Sequence, residues 1–218
     1  MSDAGGARTA PARVTRASRQ LRLDEAREES RDCRRCELWR LGTQTVFGKG
    51  RAGAVLMLVG EQPGDQEDKA GEPFVGPAGR VLDEGLEEAG LDQVPRYVTN
   101  AVKHFNWEPR GKRRLHMKPN TSHVLACRFW LEEEIAAVAP RVIVALGATA
   151  ARALLGPAAR VLRDRGRWLS STLAANVTLT VHPSSLLRAP TPEARLMARR
   201  AFVDDLREVA RRLSELRP

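Results

Sequence analysis

The stretch AVLMLVGEQPGDQEDKAGEPFVGPAG, residues 54–79, decides the fold. Its first seven residues form an unbroken apolar run bounded by glycines, the mark of a strand covered on both faces. A glycine- and acid-rich loop follows at once. Pro77 then suits the first turn of a helix over GRVLDEGLEEAG (79–90), with Gly90 at its C-cap. The same order recurs down the chain, where YVTNAVK (97–103), RVIVALG (141–147) and VTLTV (177–181) read as three further strands. Between them the spacing predicts a helix from Asn120 and Thr121 to Val138, with Val124, Cys127, Leu131 and Ile135 on one face. A short Ala/Leu helix should end at Gly156, and a last one should run from Pro192 to Leu213 with Leu196, Val203, Leu206, Ala210 and Leu213 inward. A solvated helix is expected over Arg19–Asp32, and a long polar and basic loop from 104 to 120. This alternation predicts the α/β class: a three-layer α/β/α sandwich around a mostly parallel four-stranded sheet.

Length and composition narrow the function. The 218 residues fit one domain over 19–218 behind a disordered basic tail at 1–18. No apolar run is long enough to span a bilayer and no signal-peptide core is visible, so a membrane protein is not expected. Three cysteines are too few for a disulfide scaffold, which points to a reducing, cytoplasmic setting. The net charge of +9 suggests a polyanionic partner. It is unevenly placed: residues 101–120 carry six basic residues against one acid, centred on GKRR at 111–114, and residues 141–170 carry the same balance. The chain is expected to be a monomer.

In a parallel sheet the strand-to-helix loops emerge at the carboxyl edge, where ligands bind. Three polar segments distant in sequence should therefore share one rim: GEQPG after the first strand, Asn100 near the end of the second, and HPSSLLR (181 being the last strand residue) after the fourth. The 60–79 loop holds Glu61, Gln62 and Asp65 near the strand end, but neither a Walker GK[ST] nor a GxGxxG fingerprint. Phe74, among polar residues, either anchors the loop or stacks on a planar ligand. Cys33 and Cys36 form a CxxC pair open to several readings: a zinc half-site, a redox pair or chance.

GEQPGDQEDKAGEPFVGPAG, VTNAVK and HPSSLLR, in this order and at these strand ends, resemble the uracil-DNA glycosylase superfamily over roughly residues 30–212. The likeness is strongest to its iron–sulfur branch, and the insert GKRRLH (111–116) is similar to the basic loop of the UdgX group. The resemblance implies that Phe74 stacks on a flipped uracil and that Asn100 reads its Watson–Crick edge, with Gln62 and Asp65 also near the base. His182 would hydrogen-bond uracil O2 as the base leaves. Ser184, Ser185, Leu186 and Arg188 would press on the DNA, and Lys112, Arg113 and Arg114 would clamp phosphates and hold the loop shut. His116 maps onto the histidine that attacks C1′ in the UdgX group, with Glu61 accepting the other imidazole proton. Chemistry would then stop at a covalent adduct with uracil-containing DNA, single-stranded DNA included. Two alternatives stand beside this: a turnover glycosylase in which Glu61 or Asp65 activates water, and a non-catalytic DNA-binding protein.

The iron–sulfur branch expects a fourth cysteine just after the second strand, and here His104 stands in that place. The resemblance thus implies a structural [4Fe–4S] cluster on Cys33, Cys36, His104 and Cys127, with zinc the alternative metal and His123 a fallback ligand.

Overall fold

A computed structural model describes residues 15–216. Helix α1 (Arg16–Ser30) is capped by Thr15, whose side chain accepts from the Ser18 amide. It therefore begins inside the segment expected as a tail; the tail's residues 1–14 lie outside the described residues. A 3-10 turn (Glu37–Arg40) leads to β1 (Leu56–Gly60), then α2 (Asp65–Ala70), α3 (Pro77–Glu88) and β2 (Arg96–Asn100). Next come β3 (Trp107–Arg110), β4 (Arg113–His116), α4 (Thr121–Val138), β5 (Val142–Leu146) and α5 (Ala148–Leu155). The chain closes with α6 (Val161–Asp164), β6 (Val177–Thr180), α7 (Pro183–Leu187) and α8 (Pro192–Glu215).

The four expected strands form one sheet in the order β2-β1-β5-β6, every pairing parallel. Side chains leave it alternately, as the period of two requires. Met57, Val59, Ile143, Ala145, Val177 and Leu179 pack against Trp130, Leu131 and Ile135 of α4, the alanines of α5 and Leu23 of α1. Leu56, Leu58, Val142, Val144 and Leu146 pack against Leu82 and Leu86 of α3 and Phe202, Val203, Leu206 and Val209 of α8. Two helical layers thus sandwich the sheet.

Two expectations change. Leu196 is half exposed although it lies two turns before the buried Val203 on nearly the same face, because the buried part of α8 begins only at Phe202. The stretch expected as a long basic loop is a β-hairpin in which Trp107 opposes His116 and Arg110 opposes Arg113 across the turn Gly111–Lys112. Gly111 adopts φ +60, which a two-residue hairpin turn demands.

The connections after β1 and β5 leave in opposite directions, to β2 on one side and β6 on the other. Their carboxyl ends therefore open the crevice in which open α/β sheets bind ligands.

Candidate active site

At that crevice Gly60 ends β1, and the chain turns so that Glu61 meets the start of α5. The Thr149 hydroxyl donates to Glu61 Oε2, which leaves Oε1 directed to His116 Nε2 at 3.7 Å. The Gln62 amide nitrogen lies 3.0 Å from the same Nε2 and also donates to the carbonyls of Asn106 (3.2 Å) and Met117 (3.0 Å). The amide has two protons for these three neighbours, so Gln62 holds the ring in place without fixing which nitrogen carries the ring proton. Glu61 thus faces the same nitrogen as Gln62, not the opposite one expected from sequence. Gln62, expected at the base, braces both ends of the hairpin.

The 60–79 loop is shaped by a buried carboxylate. Glu67 accepts from the amides of Gly64 (3.1 Å) and Gly76 (2.7 Å), drawing the loop into a closed bend. Phe74, at its tip, holds φ +58, a left-handed conformation that costs a bulky residue free energy. Its backbone is trapped there by Gly79, where a Cβ would stand 1.7 Å from the Phe74 carbonyl oxygen. The ring lies near-parallel to His182, with centroids 5.9 Å apart and planes at 27°. A Cβ at Gly60 would stand 2.3 Å from Asn100 Oδ1 and 2.6 Å from Phe74 Cζ, so the residue must be glycine for these groups to converge. Asn100 is 2% exposed, and its Oδ1 is buried with no hydrogen-bond partner. Such an orphan acceptor calls for a donor from a ligand.

His182 caps α7. Its Nδ1 accepts from the Ser184 amide at 3.2 Å and lies 2.9 Å from the Ser184 hydroxyl, so the neutral ring carries its proton on Nε2. Burial drives its pKa down to about 4, against a smaller opposing pull from Glu61. The imidazole is therefore a neutral Nε2–H donor near pH 7. Ser185 donates its hydroxyl to the His182 carbonyl at 2.7 Å, and Arg188 reaches the Ser184 hydroxyl at 3.1 Å. Leu186, expected to press on the DNA stack, is 3% exposed in the core below the rim; its neighbour Leu187 is the exposed one.

Arg114 departs from its expected place on DNA phosphates. It donates to Asp65 Oδ1 (2.5 Å) and to the fully buried Asp68 (2.6 Å), and its guanidinium lies over the rings of Phe105 and Trp107. Asp65 correspondingly binds Lys69 and Arg114, which hold its pKa below the ordinary carboxylate range. It is engaged by Lys69 of α2 and by the hairpin. Lys112 and Arg113, at the hairpin tip, are exposed and have no ion-pair partner among the described residues.

The expected cluster ligands lie on three elements. Trp130 Nε1 donates to Cys33 Sγ at 3.1 Å, and the Lys103 amide lies 3.5 Å from Cys127 Sγ. Cys36 packs against Cys127, and the interaction of the two thiols lowers the Cys36 pKa to about 6 and, with burial, raises that of Cys127. His104 is 4% exposed, with Nε2 at 3.0 Å from the Thr45 hydroxyl and a buried Nδ1 that has no partner. His123 has both nitrogens engaged, Nε2 with Glu37 at 2.7 Å and Nδ1 with the Asn120 amide at 3.3 Å. It serves α4 as a cap and has no nitrogen left for a metal. Among the described residues no three His, Cys, Asp or Glu side chains converge closely enough to hold a single ion. Ligands of a four-iron cubane bind different irons and stand farther apart. Buried thiols, N–H···S donors and an orphan imidazole nitrogen braced through its other nitrogen fit such a group.

The family model of the uracil DNA glycosylase superfamily matches residues 47–207. The type-4 uracil-DNA glycosylase of Thermotoga maritima is 35% identical over 179 residues, which cover 82% of this chain and 90% of that protein. The type-4 uracil-DNA glycosylase of Pyrobaculum aerophilum is 35% identical over 175 residues (77% and 86%), and that organism's type-5 uracil-DNA glycosylase is 32% identical over 158 residues (66% of each). With the sheet, the strand-end motifs and these matches in agreement, the chain belongs to the uracil DNA glycosylase superfamily.

Proposed function

We propose that this protein excises uracil from DNA and ends the reaction bonded to the abasic sugar through His116. The observation that carries the proposal is the placement of His116 at the mouth of the crevice, with Nε2 3.0 Å from the Gln62 amide nitrogen and 3.7 Å from the Glu61 carboxylate.

Asn100 supplies the selectivity. Its orphan Oδ1 matches the N3–H of uracil while its amide nitrogen can donate to O4; cytosine offers a bare N3 and an N4 amine, the reverse pattern. Phe74 would stack on the base, and His182 Nε2–H would donate to O2. As the C1′–N1 bond breaks, its electron pair leaves on uracil, and the neutral His182 donor stabilises that anion. In the neutral tautomer that carries its proton on Nδ1, His116 uses the Nε2 lone pair to form the new bond to C1′. The ring thereby becomes cationic, is stabilised by Glu61, and sheds its Nδ1 proton to solvent. Lys112 and Arg113 would contact flanking phosphates. Cys33, Cys36, Cys127 and His104 would hold a [4Fe–4S] cluster, which supplies a rigid crosslink between the segments at both ends of the hairpin.

The second reading, turnover with water as nucleophile, is favoured by the names of the type-4 relatives. In it Glu61 is the base, since Asp65 is bound by Arg114 and Lys69. A denaturing gel after incubation with a uracil-containing single-stranded oligonucleotide separates the two. The expected result is a shifted protein–DNA band, absent in His116→Ala. Repeated uracil release by the unaltered protein with no such band overturns the adduct and leaves the glycosylase. Release of no uracil and no band leaves only DNA binding.

A further inference from the structure

Beside the base-reading residue lies an ion pair that the mechanism does not use. Lys103 and Glu134 are both 0% exposed and joined at 2.6 Å. Lys103 Nζ has three protons and three acceptors: Glu134 Oε2, the Thr99 hydroxyl at 2.7 Å and the Asn100 carbonyl at 2.8 Å. Glu134 is satisfied in turn by the Gly48 amide (2.9 Å), the Tyr97 hydroxyl (3.1 Å) and the Thr99 hydroxyl (2.9 Å). The network therefore ties α4 and the Gly48 loop to the last residues of β2.

A buried ion pair is weak evidence for stability, because desolvation offsets most of its attraction, and apolar residues of similar volume often serve the fold as well. A buried pair can instead fix one geometry. Here the bond that leaves the network for the site is the one to the Asn100 peptide. Asn100 is also where geometry is most demanding, since its Oδ1 is packed against Gly60 and Phe74 and has no protein partner to hold it. We propose that Lys103 and Glu134 are positioning residues for uracil recognition, fixing the Asn100 peptide so that its side-chain amide meets the base edge in register. The proposal rests on the assignment of Asn100 as the uracil reader.

The test is a double-mutant cycle on single-turnover uracil release, which reads base excision whether water or His116 captures the sugar. Lys103→Met with Glu134→Leu removes the pair without leaving either charge unpaired. Thr99→Val removes only the shared hydroxyl and guards against a paired variant that fails to fold. Each is made with Asn100 intact and with Asn100→Ala, and circular dichroism confirms the fold. With Asn100 present, the paired variant should slow release by about tenfold or more and Thr99→Val by a smaller factor, since small misplacements of a reacting geometry are costly. In the Asn100→Ala background both losses should shrink to within about twofold, because the network then has nothing to position. Equal losses in both backgrounds overturn the proposal, as does full activity of a folded paired variant. If the unaltered protein releases no uracil, the glycosylase assignment fails and the proposal falls with it.

Discussion

At Gly60 a single hydrogen stands where any other side chain would strike Asn100 and Phe74. Gly60→Ala should therefore cut uracil release by about a hundredfold or more while the protein still folds, because the displaced groups are those proposed to touch the base. Release assays beside a thermal melt check this; comparable activity would mean that the base sits elsewhere. His182 gives a second expectation. Its pKa is depressed to about 4, so its proton-donating neutral form persists through the mildly acidic range and release should not fall on its account between pH 7 and pH 5. Stability runs the other way. Below the ordinary histidine pKa the unfolded chain takes up a proton that the folded chain refuses, so His182 contributes a loss of stability as pH drops from about 6.5 toward 4. Melting curves of His182→Gln against the unaltered protein should converge in that window. At this scale the rim placement of Glu61, Asn100 and His182 was legible, because buried strands fix where the next residue emerges. The partners of Gln62, Asp65 and Arg114 were not. Their contacts join positions about fifty residues apart and exist only once the hairpin has folded back.

Among the elements the hairpin was hardest to foresee. The alternation of β3, Trp107-Glu108-Pro109-Arg110, is only four residues long and interrupted by a proline, and β4 holds charge on both faces, so only Gly111 hints at the turn. What holds it is Arg114, wedged between Asp65 and Asp68. Arg114→Ala leaves Asp68 buried with only the Thr43 amide and hydroxyl. Adduct formation should fall by about tenfold or more while uracil release falls less, because the residues proposed to read the base stand on other elements. A gel and a release assay run side by side measure the split, and equal losses would count against a latch. Helix α8 was read correctly in type and extent, but one inward residue, Leu196, was not, since a periodic pattern does not show where along the helix the core begins.

For the whole molecule, the parallel sheet and its layers followed from strands alternating with helices, and the uniformly buried β1, β5 and β6 need helices on both faces. Net charge was a blunter guide. Among the described residues some arginines are paired with carboxylates, as along α8, and so add little to any outward field, whereas Lys112 and Arg113 at the hairpin tip have no ion-pair partner. Neutralising Lys112 and Arg113 together should weaken binding to single-stranded DNA of any sequence. It should also lower the slope of log affinity against log salt by about 1.4, from roughly 0.7 per contact. A titration at several salt concentrations checks this, and an unchanged slope would place the DNA elsewhere. Cys36→Ser should lower the melting temperature by roughly 5 °C or more if the cluster staples its segments together, and the visible absorbance should vanish with it.

The hairpin's two ends meet. The Met117 amide donates to the Asn106 carbonyl at 2.9 Å, and Gln62 grips both residues from below. Ten residues thus leave the body of the protein and return to nearly the same point, crossing none of the apolar layers. A segment so attached is a cassette: a short turn in its place would close the same gap without disturbing the sheet, and the cassette could be moved to a relative that offers the same footing. What becomes of the sugar after the base has gone would then be a trait gained or lost in one insertion, on a scaffold whose reading of the base need not change.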